Sequence, residues 1–305
     1  MTELVRTVSG DIAPSALGRV DVHEHLLMRT PALPGETLDD VASATAEASL
    51  VRDSGIDALV ELTTLGLGRD GLGLRTIAER SGVRIVMATG VQSDVHHPAG
   101  DPLHRVSTDE LADRLTADIV DGYDGVRAGM LKVGIGYWSI SAFERRNLEA
   151  AAEAHRRTGV PITCHLELGS AGAEVLELFD RLGVPRDRIV LAHIDRNPDP
   201  RLHRELARSG AYLSYDGWAR PKYFPDSQLL DCLLAVAADG CAERILLGGD
   251  IARRSSLRAN GGLPGMDYLG RRVIPRIVDS GGDALAKTIL VTNPRRVLTL
   301  SISAE

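Results

Sequence analysis

The sequence predicts a single domain over residues 1–305, folded as an α/β (β/α)8 TIM barrel with a short N-terminal extension. Eight short segments rich in valine, isoleucine and leucine follow one another along the chain, without the strict polar alternation of a half-exposed sheet. Segments with helix signals separate them, and no linker or repeat divides the chain. The alternative, an open doubly wound sheet, usually carries a glycine-rich phosphate turn after its first strand, and this sequence has none there.

The eight predicted strands share an apolar content suited to burial on both faces. In chain order they are RVDVHEH (19–25), DALVELT (57–63), RIVMATG (84–90), GMLKVGI (129–135), VPITCHLE (160–167), RIVLAHI (188–194), GAYLSYDG (210–217) and RILLGGD (244–250). Parallel strands that are covered by helices on one side and packed inside a barrel on the other are expected to look like this. Eight such units in about 300 residues are typical of a barrel.

The predicted helices between these strands carry recognisable ends. Ser107 with Glu110 and Ser141 with Glu144 have the spacing of a capping box, which marks the start of a helix. Gly159 stands where a left-handed residue would end the helix that begins after Ser141. Three further segments, AGAEVLELFDRLG, PRLHRELARSG and LLDCLLAVAADG, each end in glycine shortly before the next strand.

Composition excludes several classes of partner. The chain has 42 acidic against 35 basic residues, a formal net charge of −7, so it has no general attraction for nucleic acid or anionic membrane. Its three cysteines lack CxxC spacing, which favours reduced thiols. The N-terminus has no apolar core of signal-peptide length, and no run is long enough to span a bilayer. We therefore expect a cytoplasmic protein that binds a small molecule.

Polar side chains recur at the predicted C-terminal ends of the strands, where barrel enzymes gather their chemistry. They are His23, His25, Lys132, His165, His193 and Asp250. Each histidine alone has an ordinary explanation as a hydrogen-bonded core residue, and the aspartate as a helix cap. Together they would bring four histidines and one carboxylate to one mouth of one barrel, and these are metal-ligand types. The combination predicts a metal site.

Lys132 lies inside the apolar run GMLKVGI, where an unpaired ammonium would be costly to bury. Such a lysine reaches water at a strand end, has a partner for its charge, or is chemically altered. A neutral amine reacts with CO2 to give a carbamate, which offers two oxygens and a negative charge to nearby cations. Since four histidines and one aspartate are few ligands for two divalent ions, we predict that Lys132 carries this carbamate and bridges them.

Over almost its whole length the chain resembles the phosphotriesterase-like branch of the amidohydrolase superfamily. Besides the predicted ligands, the matching motifs are VRTVSGDI, LGRVDVHEHLL, GVRAGMLKVG, PITCH, IVLAHID, ILLGGD and NPRRVL. The resemblance implies an enzyme, a metal-dependent hydrolase with two divalent ions per chain, for which we expect zinc. The set is highly specific for a binuclear site and less so for a substrate.

The resemblance also assigns roles to the predicted ligands. His23, His25 and Asp250 would hold the more buried ion, His165 and His193 the second ion, and carbamylated Lys132 would bridge the two. A metal-bound hydroxide would attack the carbonyl or phosphoryl centre of the substrate, because bound cations lower the pKa of water toward ~7. Asp250 would take the proton from this nucleophile.

Basic residues in the loops after the last two predicted strands suggest an anionic substrate. They are Arg220, Lys222, Arg253, Arg254 and Arg258. By resemblance to the phosphorylated-sugar lactonases of the family, Lys222 and Arg253 occupy the positions that bind the phosphate. A tyrosine that helps in that group is Ser256 here, which leaves open an altered phosphate site or a different acid group. The leading interpretation is a lactonase acting on a phosphorylated sugar lactone.

Other functions remain open at this stage. An organophosphate triesterase or a quorum-sensing acyl lactonase favours an aromatic, apolar pocket, whereas this chain has three phenylalanines and two tryptophans. The strand-3 tyrosine associated with the quorum-sensing lactonases aligns with Gln92. An amide hydrolase would use the same chemistry, and a ligand-binding protein would keep the fold without turnover. Loss of a metal ligand would indicate such a binding protein, and no ligand of the pattern is missing.

Five histidines lie outside the predicted metal site. His96 and His97 follow the third predicted strand in a loop that could line a pocket and contact substrate. His104, His155 and His203 fall in loop or helical segments, where we expect them to be solvent-exposed. We also expect a homodimer.

Overall fold

The computed structural model describes residues 2–302 and begins with a small sheet outside the barrel. Strands β1 (Thr2–Thr7) and β2 (Gly10–Ile12) form an antiparallel pair, which is the predicted N-terminal extension. Near the other end of the chain, β11 (Leu300–Ile302) pairs antiparallel with β1. Segments near both ends of the described range therefore meet in one three-stranded sheet.

Eight parallel strands form the barrel, in the order of the sequence. They are β3 (Val20–Glu24), β4 (Ala58–Glu61), β5 (Arg84–Val91), β6 (Met130–Ile135), β7 (Ile162–Leu166), β8 (Ile189–Ala192), β9 (Tyr212–Tyr215) and β10 (Ile245–Leu247). Each coincides with one of the eight predicted segments. The barrel fold is thus confirmed, and the open doubly wound sheet is excluded by the closure of the last strand on the first.

Closure depends on backbone contacts just beyond β10. The amides of Gly249 and Asp250 both donate to the carbonyl of His23, at 3.2 and 2.7 Å. The side chain of Glu24 accepts from the amide of Ile251 at 2.8 Å, and that of Asp21 accepts from Gly249 at 3.2 Å. Buried carboxylates of the first strand therefore hold the loop that follows the last.

Helices cover the outside of the barrel. They are α1 (Val41–Asp53), α2 (Gly71–Ser81), α3 (Thr108–Val120), α4 (Ala142–Thr158), α5 (Gly172–Arg181), α6 (Pro200–Arg208), α7 (Asp226–Val236), α8 (Ile274–Lys287) and α9 (Asn293–Leu298). Both predicted capping boxes form, at Ser107 and Ser141, and Gly159 ends α4 with φ 73°. No helix within residues 2–302 is both long enough and apolar enough to cross a membrane.

Two glycines allow the backbone to pack closely around the barrel mouth. Gly90 of β5 pairs with Lys132 of β6 and has φ 135°, and a Cβ there would lie on the carbonyl oxygen of Lys132. A Cβ on Gly248 would lie 2.7 Å from the Cβ of His23. Larger residues at either position would push a strand away from a predicted ligand.

Candidate metal centre

The six predicted ligands come together at the C-terminal mouth of the barrel, although they come from five different strands and their ends. All six side chains are buried. Asp250 lies at the centre: its Oδ1 is 3.4 Å from Nε2 of His23 and 3.6 Å from Nε2 of His25. The rings of His165 and His193 are 4.4 Å apart, and those of His23 and His193 are 4.9 Å apart. One ligand atom from each of His23, His193 and Asp250 lies within 4.8 Å of the others.

Two of the histidines share one buried carboxylate. Asp216, at the end of β9, contacts Nδ1 of His23 at 2.9 Å and Nδ1 of His193 at 2.7 Å. Burial alone would raise the pKa of Asp216, but the two imidazoles outweigh it and hold that pKa well below its ordinary value. As a carboxylate, Asp216 accepts from both rings, so each histidine carries its proton on Nδ1 and directs the lone pair of Nε2 to the centre.

His25 is oriented through a hydroxyl. Nδ1 of His25 lies 3.0 Å from Oγ1 of Thr63, and this hydroxyl donates to Oε1 of Glu61 at 2.6 Å. Because the hydroxyl hydrogen is used on Glu61, Thr63 accepts from His25, and Nε2 of His25 again carries the lone pair. Burial lowers the pKa of His25 to about 3, so the ring is neutral.

His165 has the opposite orientation. Its Nε2 lies 2.9 Å from Oε2 of Glu167, a carboxylate two residues further along the chain. Its Nδ1 makes no hydrogen bond to any residue in the range 2–302. Glu167 therefore leaves Nδ1 of His165 as the free nitrogen. The sequence analysis missed both Asp216 and Glu167. For Asp216 the available signal was a carboxylate at the end of β9, the one barrel strand after β5 that supplies no predicted ligand.

Lys132 is fully buried and lies in the middle of its strand, as the third residue of β6, rather than at the strand end that the sequence suggested. Its amine lies 3.4 Å from Nε2 of His23 and forms no ion pair with a described residue. Burial lowers the pKa of Lys132 to about 8. The explanation by a lysine that reaches water is therefore wrong for this structure.

Asp250 has a strained backbone and two arginine partners. Its φ is 50° and that of His193 is 63°, both in the left-handed region that such residues rarely adopt without support from their surroundings. Arg196 donates to Oδ2 of Asp250 at 2.6 Å, and Arg220 donates to the same atom at 2.9 Å. Burial opposes the effect, but His23, the two arginines and His193 together hold the pKa of Asp250 far below its ordinary value.

The basic residues after β9 and β10 have different surroundings. Arg220 donates to the carbonyls of Asp216, Trp218 and Gly249, so its guanidinium holds two loops together and is not free for a ligand. Arg258 pairs with buried Asp267 at 2.7 Å, away from the cavity. Lys222 and Arg253 line the cavity together with Arg220.

The cavity has a volume of about 430 Å³. The predicted ligands His23, His25, His165, His193 and Asp250 line it, together with Lys222, Arg253, Ser256 and Arg196. Arg196 is a further cationic side chain at this site and was not predicted from the sequence. Its position three residues after His193 is the only sequence signal that marks it.

The other histidines divide into three groups. His96 lines the cavity, whereas His97 is buried outside it against Asp101. His104 is partly exposed and contacts the carbonyl of His97. The expectation that His155 and His203 are solvent-exposed is wrong: their exposed fractions are 6% and 0%, because each ring turns inward to bond backbone carbonyls.

Comparison with known proteins identifies the family. The sequence profile of the Phosphotriesterase family matches residues 3–298. The chain belongs to the phosphotriesterase family. A Phospho-furanose lactonase of Mycoplasmopsis agalactiae is 31% identical over 97% of this chain and 91% of its own length. An N-acetyltaurine hydrolase of Danio rerio is 29% identical over 98% and 99%. The crystal structure of a lactonase from Listeria monocytogenes superposes with a TM-score of 0.93 at 29% identity, covering 98% of this chain and 100% of that one.

Membership of the phosphotriesterase family makes the protein a metal-dependent hydrolase of small molecules, in a group that includes lactone hydrolases. The residues at the barrel mouth fit a divalent metal. Four neutral imidazoles, each with one ring nitrogen hydrogen-bonded to a neighbouring side chain, and one carboxylate offer nitrogen and oxygen ligands of the types that zinc prefers.

Proposed function

We propose that the protein is a binuclear metal-dependent lactonase that hydrolyses a phosphorylated sugar lactone. His23, His25 and Asp250 would hold the more buried ion, and His165 with His193 the second. Lys132, as its carbamate, would bridge them. We further propose zinc as the metal, a single-domain chain, and a cytoplasmic homodimer.

Support for the bridge comes from the environment of Lys132. Lys132 is fully buried and forms no ion pair with a described residue, so its charged form is disfavoured relative to that of an exposed lysine. Its pKa of about 8 leaves a neutral fraction at pH 7 that can combine with CO2. The carbamate would restore a charge complementary to two cations where the protein itself supplies only one carboxylate ligand.

When bound, the two ions would supply an activated water as nucleophile and polarise the carbonyl of the substrate. The protein residues fix the geometry in which this happens. Asp216, Thr63 and Glu167 orient the imidazoles, since each hydrogen-bonds one ring nitrogen and leaves the other available to a metal. Asp250 would accept the proton that the nucleophile loses, and its carboxylate lines the cavity beside His23 and His25.

The observation that supports an anionic lactone is the position of Lys222 and Arg253. Both line the same cavity as the predicted ligands, and Arg196 and Arg220 add two further cationic side chains. Arg253 is held only loosely by Glu36, at 3.8 Å, so it can turn to a ligand. Guanidinium and ammonium groups bind phosphate well. The Phospho-furanose lactonase relative is consistent with such a substrate.

A second candidate is an amide hydrolase for a small anionic N-acyl compound. The same cationic residues would accept a sulfonate or carboxylate, and the N-acetyltaurine hydrolase relative covers almost the whole chain. The two candidates share the chemistry at Asp250 and differ in the bond that is broken.

A hydrolysis screen distinguishes them. The purified enzyme should be assayed with phosphorylated and unphosphorylated aldonolactones, with short N-acyl amides of taurine and amino acids, and with an aryl phosphotriester. We expect the highest kcat/KM for a phosphorylated lactone. A higher kcat/KM for an N-acyl amide would replace the proposal by the second candidate, and binding without turnover of any compound would indicate a binding protein.

A further inference from the structure

Charged and uncharged side chains line different halves of the cavity, and each half comes from a different group of neighbouring strands. Apart from predicted ligands, the loops after β3, β4 and β5 contribute no lysine, arginine, aspartate or glutamate to the lining. They contribute Met28, Ala32, Leu33, Leu62, Leu67, Gln92, Val95 and His96. All charged lining residues other than the ligands come from β7 to β10 or the loops after them. An anionic group bound at Lys222 and Arg253 therefore leaves the rest of the substrate facing an uncharged surface.

His96 is one of two polar side chains in this uncharged half, beside Gln92. The carbonyl oxygen of the Gln92 side chain already accepts from the amide of Ser93 at 3.0 Å. His96 is anchored on one side only: Nδ1 lies 2.9 Å from Oγ1 of Thr30, while Nε2 has no hydrogen-bond partner among residues 2–302. Because His96 lines the cavity, Nε2 is the atom available to a ligand.

The surroundings of Thr30 decide which nitrogen of His96 carries the proton. Oγ1 of Thr30 already accepts the amide of Ala32 at 3.2 Å, in a turn of its own loop. Its hydroxyl hydrogen has no other acceptor in the described residues than Nδ1 of His96. Thr30 therefore donates to Nδ1, and the hydrogen of the neutral ring is on Nε2. Burial, reinforced by His165 and His97, lowers the pKa of His96 to about 4, so the ring stays neutral at pH 7.

We propose that His96 is a specificity-determining residue that donates its Nε2 hydrogen to an uncharged oxygen of the substrate, a ring hydroxyl remote from the anionic group. This inference rests on the proposed lactonase function and deepens it: the substrate would carry an anion at one end and a hydroxylated, otherwise apolar face at the other. Met28 and Leu33 would contact the C–H side of that ring, as apolar lining surfaces do.

The tautomer can be tested without any substrate. Nitrogen-15 NMR of the whole enzyme, with the signals of His96 assigned by their loss in His96→Gln, should show hydrogen on Nε2. Thr30→Ser keeps the hydroxyl and should preserve this signal pattern, whereas Thr30→Val removes the donor and should shift the ring toward a mixture of tautomers. Hydrogen on Nδ1 in the wild-type enzyme would overturn the proposal.

Kinetics with matched substrates test the contact itself. His96→Phe keeps a ring but has no N–H, and His96→Gln places an amide N–H near the position of Nε2. We expect His96→Phe to lower kcat/KM about tenfold for the hydroxylated phospholactone, to change it little for the 2-deoxy or the 3-deoxy form, and to be partly rescued in His96→Gln. Metal content should be unchanged in both variants.

The outcomes separate this inference from the function on which it rests. Equal losses on the hydroxylated lactone and on both deoxy forms would overturn the role of His96 and leave the lactonase proposal standing. A wild-type enzyme inactive on every lactone would overturn both. A loss of metal in His96→Phe together with activity would show that the residue supports the metal site instead of the substrate.

Discussion

The amine of Lys132 lies 3.4 Å from Nε2 of His23, and both side chains are closed to solvent. Two nitrogen bases in contact cannot both be protonated without repulsion. Asp216 fixes the proton of His23 on Nδ1, so Nε2 of His23 directs its lone pair toward the amine. Nε2 of His23 therefore has a lone pair available to a cation, as expected of a metal ligand.

Replacing Lys132 should remove metal and activity together. Lys132→Ala deletes the proposed bridge, so we expect bound metal to fall below one ion per chain and hydrolysis to be lost. A short-chain carboxylic acid added to this variant can enter the space and should restore part of both. Lys132→Arg is the matched control, because arginine keeps a positive charge but cannot form a carbamate. Elemental analysis with a lactone assay measures this, and full metal content in Lys132→Ala would contradict the bridge.

Asp216→Asn should weaken metal binding without changing any proposed ligand. An amide cannot accept from both His23 and His193 as the carboxylate does, so at least one ring loses its fixed tautomer. Loss of such a partner typically weakens metal affinity by about 10–100-fold. Competition with a chromophoric chelator measures the affinity. Asp195→Asn is the control, since Asp195 is an equally buried carboxylate that bonds the amide of Gly217 and no histidine.

Lys222→Ala and Arg253→Ala should separate recognition from chemistry. Loss of a charged donor to phosphate should lower kcat/KM by roughly 10²-fold for a phosphorylated lactone. The same change should scarcely affect the matched lactone without phosphate. Asp250→Asn should damage hydrolysis of both, because it removes a proposed ligand and the proton acceptor. Equal losses on both lactones for Lys222→Ala would mean that this residue supports structure instead of substrate binding.

Removing the metal should lower both activity and thermal stability. We expect close to two divalent ions per chain after gentle purification, and a strong chelator should abolish hydrolysis. Because ions bind the folded state, the melting temperature should fall with the chelator and recover when zinc is returned. Elemental analysis and a thermal melt on one sample measure this. A metal-free protein with full activity would end the binuclear proposal.

The pH dependence of stability should include a contribution from His203. Burial lowers the pKa of His203 to about 4 in the folded chain, against an ordinary value of about 6.5. Between these values the unfolded chain binds a proton that the folded one does not, so the free energy of unfolding falls as the pH drops through this window. The largest loss is about 3 kcal/mol, and nothing is lost above pH ~7.

His203→Gln tests this contribution. The variant keeps a donor for the carbonyls of Ile194 and Asn197 but cannot titrate. It should be less stable than the wild-type protein at neutral pH yet lose less stability on acidification. The slope of its free energy of unfolding against pH should be smaller by the contribution of about one proton. Urea unfolding of both proteins across about pH 4.5 to 7 measures the difference. Parallel slopes would show that His203 already titrates normally in the folded chain.

Much of the barrel and of the site was predictable because both depend on local signals repeated in register. Apolar runs and capping boxes such as that at Ser141 mark the units, and parallel strands converge at their C-terminal ends. A histidine or aspartate placed at a strand end therefore had to lie near the others. For this reason the sequence alone predicted that His165 and Asp250 lie at one mouth of the barrel, although they are 85 positions apart in the chain.

The tertiary structure decided what the remaining polar side chains do. Arg220 lines the cavity, but its guanidinium is engaged by carbonyls of two loops, while Arg196 lines the cavity although the sequence did not single it out. Asp216, which orients two histidines, and His203, which is buried against backbone carbonyls, were likewise missed or misplaced. A hydrogen-bond partner depends on the distance and direction between atoms of separate loops. Residue spacing along one strand carries no information about either.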